Sequence, residues 1–179
     1  MAGESLPFGL RDVKLTPLTT GMTLGTPVDL PNSRTFSFTE SEDFEQLRGD
    51  DKVVAERGLG PTVEWEIESG GISLEALVVL NGGVLTTTGT GATTVKSYKK
   101  KTTDAKPRFQ AEGQAISENG GDFHIVIFNC KASGGVEGEL SDGSFFLTSA
   151  SGTGIGATDD DDLYTFVQNA TVTAIDDGT

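Results

Sequence analysis

The chain has one histidine and one cysteine, and this limits the chemistry that it can perform. A Ser-His-Asp or Cys-His catalytic set would have to use His124, and no second histidine is present for a metal site. His124 lies among apolar residues of a predicted strand, which is more typical of a packed or interfacial histidine. Cys130, on the same predicted strand, is typical of a small buried hydrophobe and has no disulfide partner. We therefore expect neither an enzyme nor a cofactor.

Four consecutive aspartates, Asp159–Asp162, could offer oxygen ligands to Ca²⁺. They lack the Asp-x-Asp-x-Asp-Gly spacing and the Glu at the twelfth loop position, and they equally fit a solvated loop that resists edge pairing. The glycine-rich stretch 152–157 before them resembles a phosphate loop but has neither the following helix nor the lysine. One alternative therefore stays open, a calcium-assisted carbohydrate-binding module that uses the 152–162 loop. Such modules usually expose aromatic rings on which sugars stack. This chain has one Trp, two Tyr and ten Phe, and Phe prefers the core, so few aromatic side chains are available for such a surface.

Positive charge is concentrated in one short segment. Residues 96–108 carry a net charge of +5, while residues 1–95 carry −8 and residues 109–179 carry −11. The segment fits either a solvated hairpin end or a docking patch for an acidic surface on a neighbouring copy of the chain. Its basic residues are Lys96, Lys99, Lys100, Lys101, Lys106 and Arg108.

The net charge of −14 excludes the ordinary nucleic-acid binder, which needs a basic surface to neutralise phosphates. It also argues against attachment to an anionic membrane through a basic face. The first residues contain no basic and apolar regions of a signal peptide, and the longest apolar run, Ala76–Leu80, is far shorter than a membrane span. We expect a protein of a reducing compartment, or of a particle assembled in one, with no membrane partner.

Two predicted strands carry rows of acidic and amide side chains opposite apolar ones. In Thr62–Glu68 the apolar row is Val63, Trp65 and Ile67, and Arg108–Glu118 alternates in the same way. Each row fits the solvated face of a half-buried strand. The rows are Glu64, Glu66 and Glu68 in the first strand, and Gln110, Glu112 and Gln114 in the second.

These rows belong to a pattern of about ten short strands separated by turn residues, which predicts an all-β sandwich or barrel. One short helix is predicted over 73–80, capped by Ser73 and ended by the glycines after Asn81. The whole chain, 1–179, is expected to form a single domain with a flexible N-terminal arm (1–9) and a long polar loop (40–51).

The order of these parts resembles the major tail protein, or tail tube protein, of long-tailed siphophages. The resemblance rests on the alternating stretch Phe36–Glu40, the polar loop that runs on to Val54, the strand Val63–Ile67 and the helix within Ile72–Leu80. It covers nearly the whole chain and is architectural. The resemblance does not distinguish a siphophage tube protein from the related tube proteins of contractile tails and of type VI secretion. It also does not distinguish it from a tail terminator or connector protein.

The resemblance implies a structural virion protein, assembled in the host cytoplasm, whose hexameric rings stack into a tube that conducts genomic DNA. DNA would pass without specific binding, along a lumen lined by the two polar rows. Partners would be further copies of the chain and other tail proteins, such as the tape measure, terminator and distal tail proteins. The arm 1–9 would become ordered on assembly. The inter-subunit contacts of the long loop would be made by Phe44, Leu47, Arg48, Asp50 and Asp51.

Overall fold

A computed structural model describes residues 4–71, 73–157 and 160–176, and over these residues the chain forms eleven strands and one α-helix. The all-β class predicted from the sequence is confirmed. Residues 1–3 of the predicted arm, Ile72 and Asp159 lie outside the described residues. The strands are β1 (Pro7–Pro17), β2 (Val28–Asp29), β3 (Ser33–Gly49), β4 (Lys52–Gly70), β5 (Val84–Thr88), β6 (Val95–Lys99), β7 (Phe109–Ser117), β8 (Asp122–Ala132), β9 (Glu137–Gly138), β10 (Leu147–Gly154) and β11 (Tyr164–Asn169); the helix is α1 (Leu74–Asn81), and a 3-10 turn spans Gly91–Thr93.

Nine strands form one antiparallel sheet in the order β2-β1-β7-β8-β10-β4-β3, with β11 paired to β8 and β9 paired to β10. The sheet changes direction at β8, which shares one of its edges between two strands. Asp122–Ile127 pairs with β11, whereas Cys130–Ala132 pairs with β10. Asn129 lies at the division with a φ of 48°, in the left-handed region that Asn tolerates better than most residues. This bend turns the two halves of the sheet into opposing layers.

The core lies between the layer β1-β7-β8 and the layer β10-β4-β3. The rings of Trp65 and Phe109 meet across it edge to face, with centroids 5.4 Å apart. At Gly113 the backbone of β7 comes so close to Phe36 of β3 that a Cβ atom would lie 2.2 Å from the ring. The inner faces are the apolar sides of the alternating strands, as the sequence pattern predicts. The largest fully buried apolar side chains are Phe109, Leu15, Ile67, Leu80, Ile127, Val13 and Val63.

The helix α1 contacts β1, β2 and β8 at one side of the core and carries the separate hairpin β5–β6. The Ser73 hydroxyl accepts a hydrogen bond from the Ala76 amide, as the predicted N-cap requires, and Gly82 ends the helix with a φ of 73°. The helix therefore forms where the sequence predicts it, within one residue at each end.

One predicted loop is strand instead. Residues 40–51, predicted as a long loop, form the outer part of β3 and the turn into β4, and β4 continues as strand through Gly58–Pro61. Both strands are exposed on both faces here, so they lack the alternation of apolar and polar residues by which strands are recognised. The predicted arm is also shorter than expected, because β1 begins at Pro7 and Phe8 pairs with Ile116 of β7.

Gly152 of β10 lies where this strand packs closely against β8 and the Trp65 ring of β4. A Cβ atom there would lie 2.1 Å from the Lys131 carbonyl oxygen and 2.5 Å from the Trp65 ring, whereas Gly135 has no atom within 4 Å of such a position. We expect Gly152→Ala to lower the free energy of unfolding by about 1–3 kcal/mol. Gly135→Ala, the matched control, should change it by less than about 0.5 kcal/mol. Denaturant unfolding measures both, and equal stabilities of the two variants would contradict this packing.

Candidate functional site

The most exposed part of the described chain is the outer half of the β3–β4 hairpin, residues 40–61. Within the described pairings, β10 pairs with β4 only over Val63–Gly70, so the stretch before Val63 is paired with β3 alone. All of residues 40–61 are exposed except Gly58, which is half-buried. Ten residues of strand at about 3.3 Å each make this a ribbon about 30 Å long. Near its base the Tyr164 hydroxyl donates a hydrogen bond of 2.7 Å to Glu40.

The outer hairpin combines apolar and acidic side chains. It contains seven acidic and three basic residues. The turn residues Asp50 and Asp51 both have positive φ, and Arg48 donates a hydrogen bond to Gln46, which in turn donates one of 2.7 Å to Glu56. The predicted contact residues therefore lie together at one end of the molecule, although on a ribbon and not on a loop. Its large exposed apolar residues are Phe44, Leu47, Val53, Val54 and Leu59.

The first predicted row lies on the outer face of β4, as its alternation predicts. Glu64 and Glu66 are exposed, and Glu68 is half-buried with an Arg34 nitrogen 3.5 Å from its carboxylate. A shallow depression of about 350 Å³ lies along this face, between the Glu64–Glu66 stretch and neighbouring hydroxyl side chains. Its hydroxyl residues are Ser37, Thr39, Ser133, Ser151 and Thr153. That this face lines a channel stays a prediction.

The second predicted row does not form an open polar face, which corrects the sequence interpretation. Gln110 and Glu112 are half-buried and Gln114 is only 3% exposed. The row also lies on the outer face of the layer opposite β4, because the inner faces of β4 and β7 meet at Trp65 and Phe109. The outer faces of two opposing layers point away from each other, so within one copy the two rows cannot line one wall.

Glu112 and Gln114 instead take part in a buried polar network around His124. The His124 Nδ1 lies 2.7 Å from Glu112 Oε1, and its Nε2 lies 3.1 Å from both Asp122 Oδ2 and the Thr173 carbonyl oxygen. Gln114 donates to Asp122 Oδ2 at 2.6 Å and to the Thr173 oxygen at 2.9 Å. The residues after β11 thus cover this face of the sheet.

The ionisation of this network follows from its contacts. Burial by itself would raise the pKa of Asp122, but hydrogen bonds from the Thr173 amide, His124 and Gln114 outweigh it and lower the pKa to about 2. Burial would likewise lower the pKa of His124, yet its hydrogen bonds to the Glu112 and Asp122 carboxylates raise it above its ordinary value. Asp122, which is fully buried, is a key residue that the sequence interpretation missed. Its only signal was its position on the same strand face as His124.

Most of the basic cluster is engaged within the chain. The Lys96 ammonium on β6 lies 2.5 Å from the Glu75 carboxylate, and this hydrogen bond lowers the pKa of Glu75. Lys100, just after β6, donates to the Asn81 carbonyl at the end of α1. Lys106 donates to the carbonyl oxygens of Ser133 and Gly134. Arg108 donates to Asn129 Oδ1 at 2.8 Å and so supports the bend of β8.

Of the six residues predicted as a docking patch, Lys99 and Lys101 remain exposed without a side-chain contact of this kind in the described structure. The Tyr98 hydroxyl donates to the Gly82 carbonyl at the end of α1, so Lys99, the next residue along β6, points to the outer face of the β5–β6 hairpin, where it pairs with Val84. Val84 and Val95 on that face are each 59% exposed. The patch is therefore smaller and more apolar than the sequence indicates.

Other candidate chemistry finds no assembled site in the ranges described. Cys130 is fully buried, and burial raises its pKa to about 12. Across residues 4–71, 73–157 and 160–176, no group of three His, Cys, Asp or Glu side chains is placed to hold a metal ion. Among the same residues there is no helix of the length and hydropathy that a membrane crossing requires.

No protein-family model matches this chain, and no curated protein matches it in sequence.

Lys100 and Lys99 test whether the basic cluster stabilises the end of helix α1. A cation at a helix C-terminus stabilises the helix, so we expect Lys100→Met to lower the free energy of unfolding by about 0.3–1 kcal/mol. Lys99→Met, one residue away on the opposite face, should leave it unchanged. Denaturant unfolding at low and high salt measures both. A loss for Lys99→Met equal to that for Lys100→Met would show that the helix contact is not the cause.

Proposed function

We propose that this chain is a tail tube protein of a long-tailed phage, whose copies form hexameric rings that stack into a DNA-conducting tube. The observation that carries the proposal is the outer β3–β4 hairpin, residues 40–61, which extends from the sheet with five large apolar side chains exposed. An isolated two-stranded hairpin is marginally stable in water, and clustered exposed apolar side chains mark interaction surfaces. Such a ribbon is explained by a partner that covers it.

The chemistry of the same chain supports a second copy as that partner. The outer hairpin is acidic and apolar, while the outer face of β5–β6 carries Lys99 beside exposed Val84 and Val95. These two surfaces differ from each other and are complementary in charge. A contact between different surfaces of identical chains is head-to-tail, and it closes into a ring or extends into a helical filament according to the rotation. Both the ring and the stack of a tube are contacts of this kind.

The outer face of β4 is the surface proposed for the lumen. Duplex DNA carries one negative charge per about 1.7 Å of its axis, so a basic wall would bind it and slow its passage. Glu64 and Glu66, flanked by hydroxyl side chains, offer weak repulsion and no strong phosphate contact. The row on β7 has no part in this proposal, because Glu112 and Gln114 are engaged with His124 and Asp122.

In this proposal the protein is assembled in the host cytoplasm and functions in the virion. Its partners are further copies of itself and the tail proteins that set the length and close the ends of the tube, such as the tape measure, terminator and distal tail proteins. DNA passes through without specific binding. A terminator or connector of the same tail would share the fold and the hairpin, and it would form single rings in place of long tubes.

Leu47 and Val54 test the role of the hairpin. They are 64% and 65% exposed, so glutamate at either position is expected to leave the monomer folded. We expect Leu47→Glu with Val54→Glu to raise the concentration needed for rings or tubes by about tenfold or more, since a central apolar contact residue commonly contributes that much. Electron microscopy and sedimentation measure assembly. Leu140→Glu, at an 86% exposed apolar residue outside the hairpin, is the control.

Two results would contradict the proposal. One is assembly of the hairpin variant at the same concentration as the unaltered protein. The other is an unaltered protein that forms neither rings nor tubes at any concentration. If that protein also bound calcium and a carbohydrate, the function would be that of the alternative binding module.

The lumen assignment has its own test. We expect tubes of Glu64→Lys with Glu66→Lys to retain short duplex DNA, with an affinity that falls as salt is raised, because lysines would now contact phosphates. Glu118→Lys with Asp160→Lys reverses the same amount of charge at exposed positions away from the outer face of β4 and should not trap DNA inside the tube. A cryo-electron microscopy map that places Glu64 and Glu66 on the outside of the tube would contradict the assignment.

A further inference from the structure

Several polar contacts hold the segment after β11 against the sheet. The Thr173 amide donates to Asp122 Oδ2 at 2.8 Å, and the Thr173 carbonyl oxygen faces both Gln114 and His124. Two residues further on, the Ile175 carbonyl accepts a hydrogen bond of 3.0 Å from Lys14, and the Ile175 side chain is 4% exposed. This segment, residues 171–176, belongs to no strand, so these contacts fix its position.

Both nitrogens of His124 face hydrogen-bond acceptors. On the Nδ1 side the neighbour is the Glu112 carboxylate, and on the Nε2 side the neighbours are the Asp122 carboxylate and the Thr173 carbonyl. A neutral imidazole has one N–H and one bare nitrogen, whereas the imidazolium donates from both. Either neutral tautomer would direct a lone pair at an oxygen. The surroundings therefore fit a histidine that carries a positive charge.

We propose that residues 171–176 form a proton-dependent latch, docked while His124 is an imidazolium and released when it loses its proton. The imidazolium compensates the fully buried Asp122 carboxylate and donates to the Thr173 oxygen. Loss of the proton leaves a buried carboxylate without its cation, and release of the segment restores water to both groups. The latch does not depend on how copies of the chain assemble.

The sign of the pH dependence follows from the direction of the His124 pKa, which the two carboxylates raise. The latch is fully stabilised below the ordinary histidine pKa of about 6.5, and it weakens as the pH rises through the higher value of the folded state. Asp122, with a pKa of about 2, stays ionised throughout this range. The other charged groups on the elements packed around the network are Arg11, Asp12 and Lys14 on β1, Asp29 on β2 and Asp176 in the segment itself.

Because His124 is the only histidine, its ring signals identify it directly in NMR spectra of the full chain. We expect both ring nitrogens to be protonated at pH 6.5, with a pKa above the ordinary value. Protection of the Thr173 amide against hydrogen exchange, corrected for the intrinsic effect of pH, should fall at least tenfold across the same titration. This measurement uses the unaltered protein and needs no variant to fold.

The variant Glu112→Gln distinguishes a histidine that controls docking of residues 171–176 from one that titrates without affecting this segment. It removes one of the two negative partners, so the midpoint for both the ring and the Thr173 protection should fall together by about one pH unit or more. Glu64→Gln, which neutralises an exposed carboxylate on the opposite layer, should move neither. A neutral ring at pH 6.5 would overturn the latch, and so would Thr173 protection that stays constant while His124 titrates.

Discussion

The left-handed backbone at Asn129 is the constraint on which the architecture depends. It lets β8 share one edge between β11 and β10, and this turns a single antiparallel sheet into two layers that enclose the Trp65–Phe109 contact. The bend is supported from both sides, because Asn129 accepts from Arg108 and donates to the Gly156 carbonyl. Arg108, predicted from the sequence as part of a basic docking patch, thus stabilises the bend in β8. The same folding of the sheet decides which polar rows can share a surface.

The folding of the sheet into two layers still leaves an edge strand at the end of the strand order. β3 lies at the end of the strand order, and beyond Glu40 the strand pairings in the described part of the chain join β3 and β4 only to each other. Edge strands are usually shortened, charged or covered, because their free backbone groups and apolar side chains invite pairing. Here the edge is lengthened and carries both charge and exposed apolar residues. That combination suits a selective protein contact, in which charge limits the choice of partner and apolar area provides affinity.

Sequence reasoning succeeded where one face of an element is buried. The alternation of Val63, Trp65 and Ile67 with glutamates placed β4 correctly, and Ser73 marked the start of α1. It failed at residues 40–51, where a strand is solvated on both faces and has no periodic signal. It also misjudged Glu112 and Gln114, because Glu112 is engaged by His124 on the neighbouring strand and Gln114 is covered by Thr173, about sixty residues away in the chain. The partners of Lys100, Lys106 and Arg108 are carbonyl and amide oxygens, which a count of charges along the sequence does not reveal.

The continuity of β3 and β4 from the core to the hairpin tip also has a mechanical consequence. Phe38 and Trp65, paired inside the body, belong to the same two strands as Leu47 and Ala55, paired near the tip. A force applied along the ribbon therefore acts on the eight-residue ladder between β4 and β10 in shear, where many hydrogen bonds resist together. A force applied across the ribbon would open the pairs one at a time, starting at the turn. The hairpin therefore resists a force along its length more strongly than a force across it, and tension applied at its tip would be carried directly into the sheet.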